Sequence, residues 1–268
     1  MQILDGKALS QQILDNLRQE IINKNIHPIL DIILVGNNPA SVKYTSLKQE
    51  TAKNIGIGGQ IHHFDKDITF PKLIDEINKI NSNPQVDALM IQLPLPKHLD
   101  ETQVVNHINP NKDADGLTAT NLGRLFQHDK NAIISATALG ISKLLDKYNI
   151  QISGKNAVII GRSFYIGLPL FALLSNLDAT VTLCHSKTKN LKEICQKADI
   201  LISATGQNNL INTSFVKKGA VLIDVAKDID FSKVAPKTSF ITPQIGGVGP
   251  MTVTSLLSNT VKIALNRN

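Results

Sequence analysis

Residues 156–169 read NAVIIGRSFYIGLP. An apolar β-branched run passes straight into a turn bracketed by Gly161 and Gly167 and then into an apolar helix, so the turn's backbone amides would face a pyrophosphate at a helix N-terminus. This is the opening unit of a doubly wound dinucleotide-binding domain. The spacing, GxSxxxGxP, is looser than GxGxxG, and glycines at such a junction also serve the turn alone. The next strand, TVTLC (180–184), ends in His185, Ser186 and Lys187. A site for NAD places an Asp or Glu there to hold the ribose hydroxyls. A hydroxyl and a cation instead of an acid, with Arg162 in the turn, favour the extra phosphate of NADP over NAD.

Outward from this unit, short strand-like runs alternate with helical periods, the pattern of βαβ units on a parallel sheet. Downstream lie ADILISA (198–204), AVLIDV (220–225) and SFIT (239–242). Upstream, a helix with apolar Leu9, Ile13, Leu17 and Ile21 precedes strand ILDIILV (29–35), a helix carrying Tyr44 and Lys48, strand QIHHF (60–64), a helix from Pro71 and strand VDALMIQ (86–92). The turn-rich loop NPNKDADGL (109–117) separates this set from a helix near Thr137 to Tyr148. The expected fold is α/β with two domains. Residues 1–120 form an N-terminal α/β substrate domain, completed by a C-terminal helix, 250–268, that returns to it. Residues 137–249 form a Rossmann-like, doubly wound NADP-binding domain.

With 268 residues, 42% hydrophobic and 19% charged, the chain is long enough to bury a sizeable core. The N-terminus MQILDGKALS has no basic region followed by an apolar run, and the apolar stretch from Gly167 to Leu174 is too short to span a bilayer. A cytoplasmic protein with no membrane partner is expected. The two cysteines, Cys184 and Cys195, form no CxxC, and the seven histidines make no HExxH, so neither a disulfide framework nor a metal site is expected. A net charge of +6 fits nucleic acid, a polyanionic small ligand, or codon bias without function. Scattered basic residues and an aromatic content of 4% weigh against a nucleic-acid face.

Four residues outside the dinucleotide unit have types and places suited to chemistry. Tyr44 and Lys48 stand one helical turn apart in SVKYTSLKQE (41–50). Gln92 ends a parallel strand, where ligands collect in open α/β sheets, and Asp115 sits in the loop between the two sets. Each has a plainer reading: a solvated pair, a strand cap, a turn stabiliser.

DGKALS, VGNNPAS, YTSLK, IQLPLP, NPNKDADGL, GRSxxxGxP, CHSKT, ADILISATG and GGVGPMT occur in this order along nearly the whole chain. In this the sequence resembles the bifunctional methylenetetrahydrofolate dehydrogenase/methenyltetrahydrofolate cyclohydrolase family. The resemblance implies NADP-dependent oxidation of 5,10-methylenetetrahydrofolate and hydrolysis of the methenyl product to 10-formyltetrahydrofolate, within one-carbon metabolism and purine biosynthesis. It also implies tetrahydrofolate derivatives as partners and a homodimer joined through the second domain. Lys48, Gln92 and Tyr44 become the implied catalytic group, with Lys48 as base, Gln92 orienting it and Tyr44 contacting folate. Asp115, Gly247 and Pro250 join Tyr44 as implied substrate-binding residues, Asp115 accepting from the pterin edge, while Asp113 shapes the loop. The implied cofactor residues are Gly161, Arg162, Ser163, Gly167, Ser186, Thr137 and Thr205.

The chain departs from that pattern in three places. SATALG (135–140) stands for PCTPxG, retaining Thr137 and Gly140. VAKD (225–228) stands for VGIN and runs almost directly into IDF, shorter by about ten residues, a length typical of a loop. TPQIGG (242–247) stands for TPVPGG. By resemblance all three lie on the nicotinamide side, so the proton-handling group is retained where the hydride-transfer surroundings differ. Three other readings follow: a cyclohydrolase with weakened or lost dehydrogenase activity, a shikimate-type NADP dehydrogenase, and a binding protein without turnover. A substrate assay separates them.

Overall fold

The computed structural model describes residues 1–267, so Asn268, the last residue of the expected closing helix, lies outside it. The chain forms two compact units.

One unit comprises residues 12–124, 130–136 and the chain from Val253 onward. Its elements are helix α1 (Gly6–Asn23, from Gln12), strand β2 (Leu30–Val35), helix α2 (Pro39–Asn54), strand β3 (Ile61–Phe64), helix α3 (Phe70–Ser82), strand β4 (Ala88–Ile91), and short helices α4 (Glu101–Val105) and α5 (Ala119–Phe126, as far as Arg124). Strand β1 (Gln2–Ile3) belongs to the other unit. The three strands run parallel in the order β3-β2-β4. Every residue of β2 is buried, as expected of a central parallel strand covered on both faces. Leu14, Leu17 and Ile21 of α1 share one core with Ile32, Met90, Leu256, Leu257 and Val261. The last three lie on the closing helix, so residues from Val253 complete this unit, as the expected returning helix requires.

The second unit holds residues 1–11, 125–129 and 137–252. It contains helix α6 (Ala136–Lys147, from Thr137), strand β5 (Asn156–Ile160), helix α7 (Gly167–Asn176), strand β6 (Thr180–Cys184), helix α8 (Leu191–Cys195), strand β7 (Ile200–Ser203), strand β8 (Val221–Asp224), helix α9 (Phe231–Val234) and strand β9 (Phe240–Ile241). Helix α10 (Val248–Arg267) begins here. All pairings are parallel, in the order β1-β9-β8-β7-β5-β6. The chain runs from β5 to β6 on one side and then crosses to β7 on the other. Strand order therefore reverses between β5 and β7, and the carboxyl ends of those two strands frame the crevice where doubly wound sheets bind ligands.

One expectation is corrected. Residues 1–11 belong with the six-stranded sheet and not with the three-stranded unit, because β1 pairs with β9 (Gln2 with Phe240, Ile3 with Ile241). Two residues cannot show the alternation that marks a strand in sequence, yet they satisfy an edge that β9 would leave open.

Candidate active site

The stretch VGNNPAS ends β2 and starts α2. Gly36 turns the chain at φ +76°, Asn38 accepts hydrogen bonds from the Ala40 and Ser41 amides at 3.0 and 3.2 Å, and Pro39 opens the helix. An Asn cap followed by proline is a strong helix start. Along α2, Ser41, Thr45, Lys48 and Ala52 are buried, one continuous stripe at helical spacing. Lys48 is 8% exposed, whereas Tyr44, one turn earlier, is 53% exposed. A lysine in that stripe is unusual, because ammonium groups are seldom buried unpaired.

What meets Lys48 comes from β4 and the residue that follows it. Met90 and Gln92 are two residues apart and so project to the same side of the strand. Lys48 Nζ lies 3.0 Å from Gln92 Oε1 and 3.6 Å from Met90 Sδ. The Gln92 amide is oriented by its other end, where Nε2 donates to the Leu93 carbonyl at 2.6 Å, at the start of the cis Leu93–Pro94 peptide. Burial pushes the Lys48 amine below its ordinary pKa, and the Asp115 carboxylate partly opposes that. Burial pushes Asp115 up, opposed by Lys48 and reinforced by Asp113. In both groups desolvation works against the charged form and the partner's charge works for it.

Asp115 is held by its neighbours in the loop. Leu89 N donates to Lys112 O at 2.7 Å and Ala114 N to Leu89 O at 3.1 Å, so the loop runs beside β4. Asp113, fully buried, accepts at Oδ2 from Thr118 N (2.8 Å) and Asn121 Nδ2 (3.0 Å), which is the loop-shaping role expected of it. Gly116 has φ +66°, and a Cβ there would sit 2.6 Å from the Ile133 carbonyl. Asn259 of α10 donates to the carbonyls of Ala114 and Ile134, both at 2.9 Å.

In the six-stranded unit the turn after β5 admits only glycine at both ends. Gly161 has φ +114° and a Cβ there would stand 2.5 Å from Ala204 O, while one on Gly167 would stand 2.0 Å from Gly161 O. The Ser163 hydroxyl accepts from Ile166 N at 3.2 Å. A pocket of about 520 Å³ opens at the β5/β7 crevice, and Gly161, Arg162, Ser163, His185, Ser186 and Thr205 are among its walls. No carboxylate is among the described residues lining it. Backbone amides at a glycine turn, an arginine, a serine and no acid fit a dinucleotide bearing an additional phosphate. Thr137 and Gly167 are not in that lining; the Thr137 hydroxyl lies 3.3 Å from that of Thr252. Gly247 packs under Pro243, its Cβ position 2.6 Å from that carbonyl, and the Pro250 carbonyl accepts from Ser10 Oγ at 3.4 Å.

A family model for the catalytic domain of tetrahydrofolate dehydrogenase/cyclohydrolase matches residues 4–115, and the model for the NAD(P)-binding domain of the same enzymes matches residues 135–268. The chain belongs to the tetrahydrofolate dehydrogenase/cyclohydrolase family. It is 45% identical over 272 residues to the bifunctional protein FolD of Hydrogenobaculum sp. (strain Y04AAS1), covering 98% of both chains. Among solved structures it is similar to the bifunctional FolD enzyme of Campylobacter jejuni, with 41% identity, a TM-score of 0.96 and 100% of each chain covered. It is also similar to the Trypanosoma brucei dehydrogenase-cyclohydrolase complexed with NADP cofactor and inhibitor, with 32% identity, a TM-score of 0.93, and 98% and 97% of the two chains covered.

As a tetrahydrofolate dehydrogenase/cyclohydrolase family member the chain carries its three departures in the six-stranded unit or at its boundary, and two of them touch. The stretch VAKD after β8 is a tight turn with Lys227 at φ +64°. Asp224 closes it by accepting from the amides of Ala226 (3.3 Å), Asp228 (2.9 Å) and Ile229 (3.3 Å). Gln244 of TPQIGG donates to Ile229 O at 3.3 Å, and Ile245 beside it is 86% exposed. In SATALG, Ala136 and Ala138 are fully buried, and a Cβ on Gly140 would sit 2.9 Å from Met251 O.

Sequence reading missed Met90, Asn259 and Asp228. Met90 had a signal, its two-residue spacing from Gln92. Asn259 and Asp228 had none, since their partners are distant in sequence.

Proposed function

We propose that this protein oxidises 5,10-methylenetetrahydrofolate with NADP and hydrolyses the 5,10-methenyl product to 10-formyltetrahydrofolate. The observation that carries the reading is the buried Lys48 amine, 3.0 Å from Gln92 Oε1 and facing the charge of Asp115, in a member of this family. Bound NADP would supply the hydride acceptor, held by Gly161, Arg162, Ser163, Gly167, Ser186, Thr137 and Thr205. Hydride transfer needs alignment and no protein base, so the chain's part in oxidation is to position the folate. Tyr44, exposed on the flank of α2, contacts the folate ring, Asp115 accepts hydrogen bonds from the pterin edge, and Gly247 and Pro250 are the other substrate-binding residues of this reading.

Water attack on the methenyl carbon does need proton handling. Lys48, neutral in part because it is desolvated, takes the water proton at Nζ and returns it as an ammonium acid. Gln92 Oε1 aims the amine. The same tuning is unavailable to an exposed lysine. The three departures favour a second reading, in which hydrolysis is intact and oxidation is weakened.

We also propose a cytoplasmic homodimer serving one-carbon metabolism, including purine biosynthesis. The dimer joins through the six-stranded unit, where β6 ends the sheet with an open edge. No described helix is long and apolar enough to cross a membrane. The test of activity is a spectrophotometric assay with methylenetetrahydrofolate and NADP or NAD, followed by methenyl hydrolysis. Absence of both reactions sinks the proposal, and hydrolysis alone selects the second reading.

A further inference from the structure

Asp228 has no part in the chemistry above, yet it is a fully buried carboxylate at the carboxyl edge of the six-stranded sheet. Its Oδ2 accepts from the Ser203 hydroxyl and from the Thr205 amide, both at 2.7 Å. Its Oδ1 is buried with no hydrogen-bond partner. No cation is among these contacts, and a buried carboxylate held only by neutral donors is costly. Such a group persists where its geometry is needed.

The geometry leads to the dinucleotide turn. Ser203 ends β7, and Thr205 is in the pocket wall. Between them the Ala204 carbonyl presses against Gly161, so closely that a Cβ on Gly161 would be 2.5 Å away. Asp228 is itself anchored on both sides: its amide donates to Asp224 Oδ1 at 2.9 Å and its carbonyl accepts from Ile211 N at 3.0 Å. The tight turn after β8 thus holds the end of β7 at the point where strand order reverses.

We propose that Asp228 is a positioning residue for the cofactor, setting the Ser203–Thr205 wall against the Gly161 turn so that the pocket fits the pyrophosphate and ribose part of NADP. The proposal rests on the reading of the site as an NADP site. Neither Ser203 nor Asp228 lines the pocket, so their effect on cofactor binding is indirect. In Asp228→Ala both donors lose their acceptor and the wall is free to shift. In Asp228→Asn the side-chain oxygen still receives both.

The test is NADP binding by titration calorimetry to the full-length protein, with the KM for NADP and kcat of the oxidation measured alongside. Asp228→Ala is expected to weaken NADP at least tenfold, because the Ser203–Thr205 wall loses the acceptor that holds it against the Gly161 turn. KM should rise with the Kd while kcat at saturating NADP changes less. Asp228→Asn should recover most of the loss, and Ser203→Ala, which removes one donor only, should fall between. Ser203→Ala also serves if Asp228→Ala does not fold. Parent-like NADP affinity in the folded variants overturns the inference, as does equal loss in the Ala and Asn variants. If the parent protein itself binds no NADP, it is the NADP reading that fails, a distinct outcome.

Discussion

Lys48 sits in a stripe of α2 with Ser41, Thr45 and Ala52, while Tyr44 and Leu47 on the same helix are largely exposed. Burial lowers its pKa, and that lowering makes an amine useful as a base near neutrality. Lys48→Gln should therefore depress methenyl hydrolysis by about two to four orders of magnitude and oxidation much less, provided folate still binds. Hydrolysis near parent rates with folate bound would remove Lys48 from the mechanism. The pH dependence has a definite sign. Base function needs the neutral amine, so hydrolysis should rise with pH through the lowered Lys48 pKa, on a limb below the ordinary lysine range. Ionised Asp115 favours the ammonium and holds that limb higher than burial alone would. Asp115→Asn should accordingly move the limb of kcat/KM to lower pH; an upward shift contradicts the assigned coupling. On the cofactor side, Arg162→Ala should weaken NADP more than NAD by roughly 1.5 to 3 kcal/mol, the size of a lost charge-assisted contact. Equal losses for the two cofactors would make Arg162 a structural residue of the turn.

The elements place these groups through contacts between distant segments. Asn259, 3% exposed on α10, donates to Ala114 O and Ile134 O and so fixes the loop that carries Asp115. Asn259→Ala leaves two carbonyls without their donor, at about 1 to 3 kcal/mol for each group left buried and unsatisfied. A chemical-denaturation midpoint should fall accordingly, and the KM for folate should rise as Asp115 loses its support. A variant with parent stability and parent KM would show that the loop holds itself. The helix carrying Tyr44 and Lys48 was legible in sequence, as were the strand runs on either side. Which face of α2 is buried was not, because Lys48 and Tyr44 are equivalent to a periodicity argument. Only the packing of α2 against β4 distinguishes an 8% exposed lysine from a 53% exposed tyrosine.

For the whole molecule, the homodimer proposal predicts sedimentation at twice the 29.2 kDa chain mass at micromolar concentration; monomer mass under those conditions removes it. The two-domain α/β organisation followed from sequence because parallel strands buried on both faces must be apolar runs, and helices between them must repeat every three to four residues. NAVII and TVTLC coincide with β5 and β6 end to end for that reason. The glycines of GRSFYIGLP were legible too, since contacts of 2.5 and 2.0 Å leave room for no side chain. Tertiary structure alone decided the rest. It placed Gln2 and Ile3 on the edge of a sheet whose partner strand is more than two hundred residues away. It brought Met90 to the Lys48 amine and set Asp228 under Thr205. Local sequence records propensity and periodicity, which act over a few residues. Partnership between side chains far apart in the chain depends on the closed fold, and no short-range signal carries it.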